Sequence, residues 1–164
     1  MVFEPAAVSH VGEVDVLRRA CILGMRRAGI DQWDETYPSV QVFEDDAAAG
    51  NLFVLRDAGG AVIGAVTLDQ QQPPEYAAVA WQYPGPVGVI HRLMVSPAHQ
   101  GRGHAKALMR AVEAPARARG CRALRLDTFL GNLVALRLYD ALGYVRAGEV
   151  TFRKGAFACF EKAL

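Results

Sequence analysis

Long apolar runs are missing from this chain. No stretch of its 164 residues approaches the ~18 consecutive apolar residues that a bilayer span requires, and its first residues do not join a basic stretch to an apolar core as a secretory leader does. The expected setting is the cytoplasm, with no membrane partner. Charge of one sign is equally scarce: 18 Lys and Arg stand against 17 Asp and Glu, a formal net of +1, and no block of like charge occurs. Binding along a nucleic-acid backbone needs a basic footprint, so nucleic acid is not an expected partner. Cysteine is thin as well. Cys21, Cys121 and Cys159 are odd in number and widely spaced, which fits reduced thiols and not a disulfide framework. None lies beside a Cys or His at a zinc-ligand interval, His99 and His104 lack a third ligand nearby, and His10 and His91 stand alone. No metal site is expected.

What the chain has is apolar content, 52% of residues, enough at this length to close one core, so residues 1–164 read as one domain. A short strand over Val2 to Val8 precedes a helix in which Val14, Leu17, Cys21, Met25 and Ala28 recur every three or four residues, with Arg18, Arg19, Arg26 and Arg27 on the outer face. Gly29 ends it. A polar and aromatic loop carrying Trp33, Asp34, Glu35, Thr36 and Tyr37 follows, and Ser39 can cap a second helix that Gly50 stops. Residues 51–57 and 61–68 form a hairpin about Ala58-Gly59-Gly60. Residues 69–86, rich in Gln and Pro, read as a loop with a turn between Glu75 and Trp81. Then come a strand at 87–95, a Gly-rich bend, a helix with Ala107, Leu108, Ala111 and Val112 on one face that Pro115 should bend or break, a strand at 122–128, a helix at 132–142 ended by Gly143, and two last strands. This is a mixed α/β order, and the crossover after Val95 implies a locally parallel pair of strands.

Chemistry is expected where that crossover begins. In Ser96-Pro97-Ala98-His99-Gln100-Gly101-Arg102-Gly103-His104-Ala105-Lys106, glycines allow close backbone approach, and the first free amides of a helix, with its positive dipole end, favour an anion such as a pyrophosphate. Arg102 and Lys106 add charge at the rim. The P-loop pattern is absent because no Gly-Lys-Ser/Thr follows, and the dinucleotide fingerprint fails for want of a third glycine in register.

Gln100-Gly101-Arg102-Gly103-His104-Ala105 resembles the Gln/Arg-x-x-Gly-x-Gly/Ala signature of the GNAT superfamily of acyl-CoA-dependent N-acetyltransferases, preceded by Arg92-Leu93-Met94-Val95-Ser96-Pro97 as in that family. Asn132 with Ala135, Leu138, Tyr139, Gly143 and Tyr144 is similar to the family's second signature. The resemblance is strongest over residues 87–150. It implies a mostly antiparallel central sheet of six to seven strands with a splayed parallel pair, flanked by about four helices. It also implies acetyl-CoA as co-substrate, its pantetheine along the backbone of Leu93, Met94 and Val95 and its pyrophosphate on the amides of residues 101–106, with Gln100 in the same motif. Asn132 would touch the pantetheine, and Tyr139 would stand near the sulfur.

Thioester aminolysis needs a neutral amine, a stabilised oxyanion and a proton for the departing thiolate. Tyr139 is the expected general acid, since a phenol is a donor at neutral pH; a helix tyrosine packed on the sheet is the structural alternative. His91 is the expected base, being the proton-accepting side chain on an otherwise apolar strand face, with a hydrogen-bonded structural histidine as the alternative. Asp127 and Glu35, the latter through water, are its rivals. Trp33, Glu35 and Tyr37 suit a cationic amine through charge and ring faces, or else the two aromatics anchor their loop. Phe152, Phe157 and Phe160 either close the same pocket or serve a dimer contact, a homodimer being common in such folds. The expected activity is direct transfer of an acetyl group to a primary amine of a small molecule or peptide; the alternative is a non-catalytic acyl-CoA sensor of the same fold.

Overall fold

The computed structural model describes residues 1–164. Seven strands, β1 (Val2–Pro5), β2 (Leu52–Arg56), β3 (Val62–Asp69), β4 (Val87–Val95), β5 (Ala123–Phe129), β6 (Val145–Phe152) and β7 (Gly155–Ala163), lie in the order β1-β2-β3-β4-β5-β7-β6. The helices are α1 (Val11–Arg27), α2 (Val40–Ala48), α3 (His104–Ala111), α4 (Glu113–Ala118) and α5 (Leu133–Ala141). The sheet is mixed. β1–β2, β2–β3, β5–β7 and β6–β7 pair antiparallel, and β4–β5 is the parallel pair implied by the crossover. α3 and α4 are separated at Val112, and Pro115 accounts for the break: it has no amide to give the carbonyl four residues back, that of Ala111, where α3 ends. No helix is long and apolar enough to cross a membrane.

The chain divides into two compact units. The first comprises Met1–Leu68 and Arg92–Val112. Its core joins Val11, Val14, Leu17, Cys21 and Ile22 of α1 to Phe43 and Ala47 of α2, to Leu52, Val54 and Ala65 of the hairpin, and to Met94. The three-to-four spacing along α1 thus faces this core, except that Ala28 is the exposed C-cap. Arg18 departs from the outward placement expected of it. It is 8% exposed, with Nε donating to Asp15 Oδ1 at 2.8 Å and Nη1 to the Pro38 carbonyl at 3.2 Å, so its charge is compensated where it is buried. Ser39 Oγ accepts from the Val42 amide and starts α2. In the hairpin turn Asp57 Oδ1 accepts from the amides of Gly59 and Ala61 at 2.9 and 3.0 Å. Helix α3 buries Leu108 and Met109, with Val112 buried at its C-cap, and leaves Ala107 exposed, a face rotated from the expected one towards Met109. It comes so close to β3 that a Cβ on Gly64 would stand 2.7 Å from Leu108 Cδ1 and 3.1 Å from the Met94 carbonyl oxygen. A larger residue there would have to displace the Leu108 methyl and press on the Met94 carbonyl.

The second unit comprises Asp69–His91 and Glu113–Leu164. One of its clusters gathers Tyr76, Val79, Val89, Val150, Phe157 and Cys159, with Trp81, Phe129 and Phe152 packed against it. Phe157 contacts Phe129 and Phe152 at ring separations of 5.6 and 5.1 Å; Phe157 and Phe160 are buried and Phe152 is half-buried. The Gln- and Pro-rich segment holds a 3₁₀ helix at Pro74–Ala78 and is tied down at several points. Glu161 of β7, 1% exposed, accepts from the amides of Gln82 and Tyr83 at 2.6 and 3.2 Å. Arg125 of β5 donates to Gln72 Oε1 at 2.6 Å and to the Tyr83 carbonyl at 2.8 Å, and its guanidinium lies 4.4 Å from the Trp81 ring centre.

Candidate active site

β4 and β5 are in register at three pairs, Val87 with Ala123, Gly88 with Leu124 and Val89 with Arg125. Beyond them, β5 continues through Phe129 paired to β7, while Ile90 and His91 of β4 have no partner on β5. The parallel pairing thus ends after three residue pairs.

His91 points away from solvent, its Nε2 3.0 Å from Asp69 Oδ1 at the end of β3. Asp127 of β5 sits near it and interacts with it electrostatically. Asp127 Oδ2 accepts a 2.6 Å hydrogen bond from the Tyr76 hydroxyl. Burial pushes the Asp127 carboxyl above the usual carboxylate range, and the Tyr76 bond and His91 offset this only in part. Tyr139 of α5 is 6% exposed, its ring edge-on to Tyr144 at 5.9 Å and tilted against Phe160 at 5.7 Å. Burial, reinforced by the Asp127 charge, raises its phenol above the ordinary value, so at neutral pH it holds its proton. Two phenols, an imidazole and a carboxyl are thus grouped within the second unit. Asn132 caps α5, its Oδ1 accepting from the Ala135 amide at 3.1 Å.

In the first unit, the strand end and the start of α3 are where the sequence places an anion site. Gly101 and Gly103 adopt φ of +74° and +83°, a left-handed geometry that L side chains rarely take, and a Cβ on either would meet no heavy atom within 4 Å. Gly29, Gly50, Gly60, Gly120 and Gly143 are equally left-handed and open, so what sets the cradle at Gly101 and Gly103 apart is its place at a helix start. Gly103 is the N-cap of α3 with no side-chain cap, and the Gly103 carbonyl takes the Ala107 amide at 3.0 Å, so the amides ahead of Ala107 are the unsatisfied donors of a helix start. Arg102 and Lys106 are exposed beside them and His104 and Ala105 half-buried. Gln100 Nε2 donates to the Val95 carbonyl at 3.0 Å, which braces the turn from within. Leu93 is half-buried; Met94 and Val95 are buried.

Residues 22–144 match the acetyltransferase (GNAT) family. The chain belongs to that family. N-acetyltransferase 8 of Mus musculus is 34% identical to it over 100 residues, 61% of this chain and 41% of that protein. The chain spans under half the length of the curated relatives it matches. Among solved structures, a GNAT-family acetyltransferase from Streptococcus agalactiae superposes with a TM-score of 0.88 at 20% identity, over 99% of this chain and 95% of that one. A protein from Salmonella typhimurium, solved with its cofactor acetyl-CoA, gives 0.74 at 17% identity, over 100% and 94%. Both share the GNAT fold seen here.

The residues of the aromatic loop are placed unequally. Trp33 is 9% exposed and belongs to the first unit's core. Tyr37 is 40% exposed, its hydroxyl accepting from Arg92 Nη1 at 3.0 Å. Glu35 is exposed and bound to Arg26 at 2.6 Å, an ion pair that holds its carboxyl below the usual range. Arg92 entered the sequence reading only as the first residue of the strand-end motif, with no role given to it. It is the one non-glycine residue with positive φ, +52°, and its buried guanidinium donates to Asp46 Oδ2 through Nη2 at 2.6 Å and Nε at 3.1 Å. Thr67 Oγ1 donates to the same oxygen at 2.8 Å. Asp69 and Tyr76 were missed too, because their partners lie 22 and 51 residues away and no local motif announces either pairing.

All three cysteines are free and buried, and burial pushes the thiols of Cys21 and Cys159 up to about 12. No group of three His, Cys, Asp or Glu is placed to hold a metal ion.

Proposed function

We propose that the chain is an N-acetyltransferase that moves an acetyl group from acetyl-CoA to a primary amine of a small molecule or peptide by direct transfer. The observation that carries this reading is the cradle at Gly101 and Gly103, left-handed, open and set at an uncapped helix start in the family's own motif. In this reading the amides of residues 101–106 bind the pyrophosphate, with Arg102 and Lys106 at the rim and Gln100 bracing the turn, and the backbone of Leu93, Met94 and Val95 binds the pantetheine together with Asn132. Bound acetyl-CoA supplies an activated thioester carbonyl. His91 takes the proton that the amine nitrogen sheds as the N–C bond forms and the C–S bond breaks. Tyr139, which burial keeps protonated, gives its proton to the departing sulfur and regains one from solvent. Glu35 and Tyr37 present charge and a ring face to the acceptor, with Trp33 anchoring their loop from beneath. Reduced, buried thiols agree with a cytoplasmic setting.

The test is release of free thiol from acetyl-CoA by the purified protein against pooled primary amines, with Tyr139→Phe alongside. Release that depends on one pool and falls by roughly 100-fold or more in the variant, with acetyl-CoA affinity retained, is the expected result. Acetyl-CoA binding without release in any pool would favour a sensor, and unchanged turnover in Tyr139→Phe would remove the acid role.

A further inference from the structure

The base assigned above has a partner that the family motifs do not include. His91 Nε2 lies 3.0 Å from Asp69 Oδ1, with the two side chains 17% and 12% exposed. The carboxylate is itself fixed. Asp69 is the last residue of β3, and the same Oδ1 accepts the Gln71 amide at 2.9 Å, so the backbone that opens the following loop sets the oxygen in place. An ionised carboxylate can only accept, which makes Nε2 the protonated nitrogen of the neutral ring. The lone pair is then left on Nδ1.

We infer that Asp69 is a positioning residue for the transferase reaction: it holds His91 in the Nε2-protonated tautomer, so that Nδ1 is the atom that takes the amine's proton. The inference rests on the reading of His91 as the base. A free imidazole divides between two tautomers and turns about its bonds; pairing with a fixed carboxylate selects one tautomer and one orientation. As the ring gains the amine's proton, the Asp69 charge stabilises the imidazolium without itself accepting a proton. The groups that face His91 are Asp69 from β3 and Asp127 from β5, with Tyr76 bonded to Asp127 from the loop and Glu75 acting on Asp127. Of these, only Asp69 is hydrogen-bonded to the ring.

The test has two arms on the full chain. Long-range ¹⁵N–¹H spectra of neutral His91 should show Nε2 protonated and Nδ1 bare; the opposite tautomer overturns the inference. In Asp69→Ala, the same spectra should show the neutral ring divided between its two tautomers. With the amine pool that supports thiol release, kcat should fall by roughly 10- to 100-fold while KM for acetyl-CoA stays unchanged; Asp69→Asn, whose amide oxygen can still accept from Nε2, should keep the single tautomer and recover most of kcat. A merely structural role at the end of β3 would lower kcat without dividing the tautomers. Tautomers that stay undivided in Asp69→Ala overturn the pairing and leave the transferase reading intact. Tautomers that divide while kcat holds show that His91 is not the base, and the underlying reading fails instead. Thiol release in no pool counts against both, and the tautomer still decides whether the pair exists.

Discussion

Gly103→Ala separates a glycine kept for its backbone from one kept for a ligand. Its Cβ would meet no heavy atom within 4 Å, so the free protein suffers no collision, and the whole cost is that of an L residue at φ +83°. That strain is about 1–2 kcal/mol. Gly29, at the end of α1 with φ +73° and equally open surroundings, provides the control, since Gly29→Ala should cost the same. Urea denaturation should therefore find the two variants alike. They should part on binding. A methyl group in the cradle stands where a phosphate oxygen would meet the helix amides, and one hydrogen bond to a charged group is worth about 1.5–3 kcal/mol. That converts to a loss of affinity of roughly 10- to 150-fold. Isothermal titration with acetyl-CoA should show this loss in Gly103→Ala and none in Gly29→Ala. With acetyl-pantetheine, which has no pyrophosphate, the difference between the variants should vanish. If both variants bind acetyl-CoA equally well, or if Gly103→Ala weakens acetyl-pantetheine to the same degree, the cradle does not hold the pyrophosphate.

Two further outcomes follow from buried charge. Asp46→Ala leaves the Arg92 guanidinium buried beside Tyr37 alone and should cost about 3–5 kcal/mol, while adding Arg92→Met should recover much of that loss, because an apolar pair does without the missing charge; urea midpoints at constant slope measure both, and no recovery would sink the argument. The Asp127 carboxyl, raised in the folded state by burial, gives a pH effect of defined sign. The folded chain keeps a proton that the unfolded chain sheds, so this contribution is fully present below the unfolded value and is lost as pH rises through the folded one. Asp127→Asn has no proton to lose, and its stability relative to the parent should improve between pH 3 and pH 7; a flat difference across urea melts at several pH values would contradict the cause assigned.

Local patterns in the sequence carried the elements well. The hairpin at Asp57, the Ser39 cap, the Pro115 break and the crossover at Val95 are each dictated by residues within a few positions of one another. The cradle was legible for the same reason, as two glycines and a helix start need no distant partner. What stayed hidden are pairings set by the sheet. Asp69 with His91, Tyr76 with Asp127 and Asp46 with Arg92 join residues 22, 51 and 46 positions apart. Arg18 shows the other limit: helical spacing marks a face, and whether a charge on its border is buried depends on a neighbour, here Asp15, that can neutralise it.

The segment from which Tyr76 reaches Asp127 has little regular structure of its own, and the carboxylate that secures it belongs to Glu161, 79 and 78 residues downstream of the amides of Gln82 and Tyr83. During synthesis those amides leave the ribosome long before their acceptor does. β5 can hold residues 70–86 first, through Arg125 and Asp127, and the amides of Gln82 and Tyr83 gain their carboxylate only once β7 has emerged. The same dependence gives evolution latitude. Because β5 and β7 offer a socket of one carboxylate and one guanidinium to backbone atoms at Gln82 and Tyr83, side chains elsewhere along the segment can be exchanged without redrawing the strands that hold it.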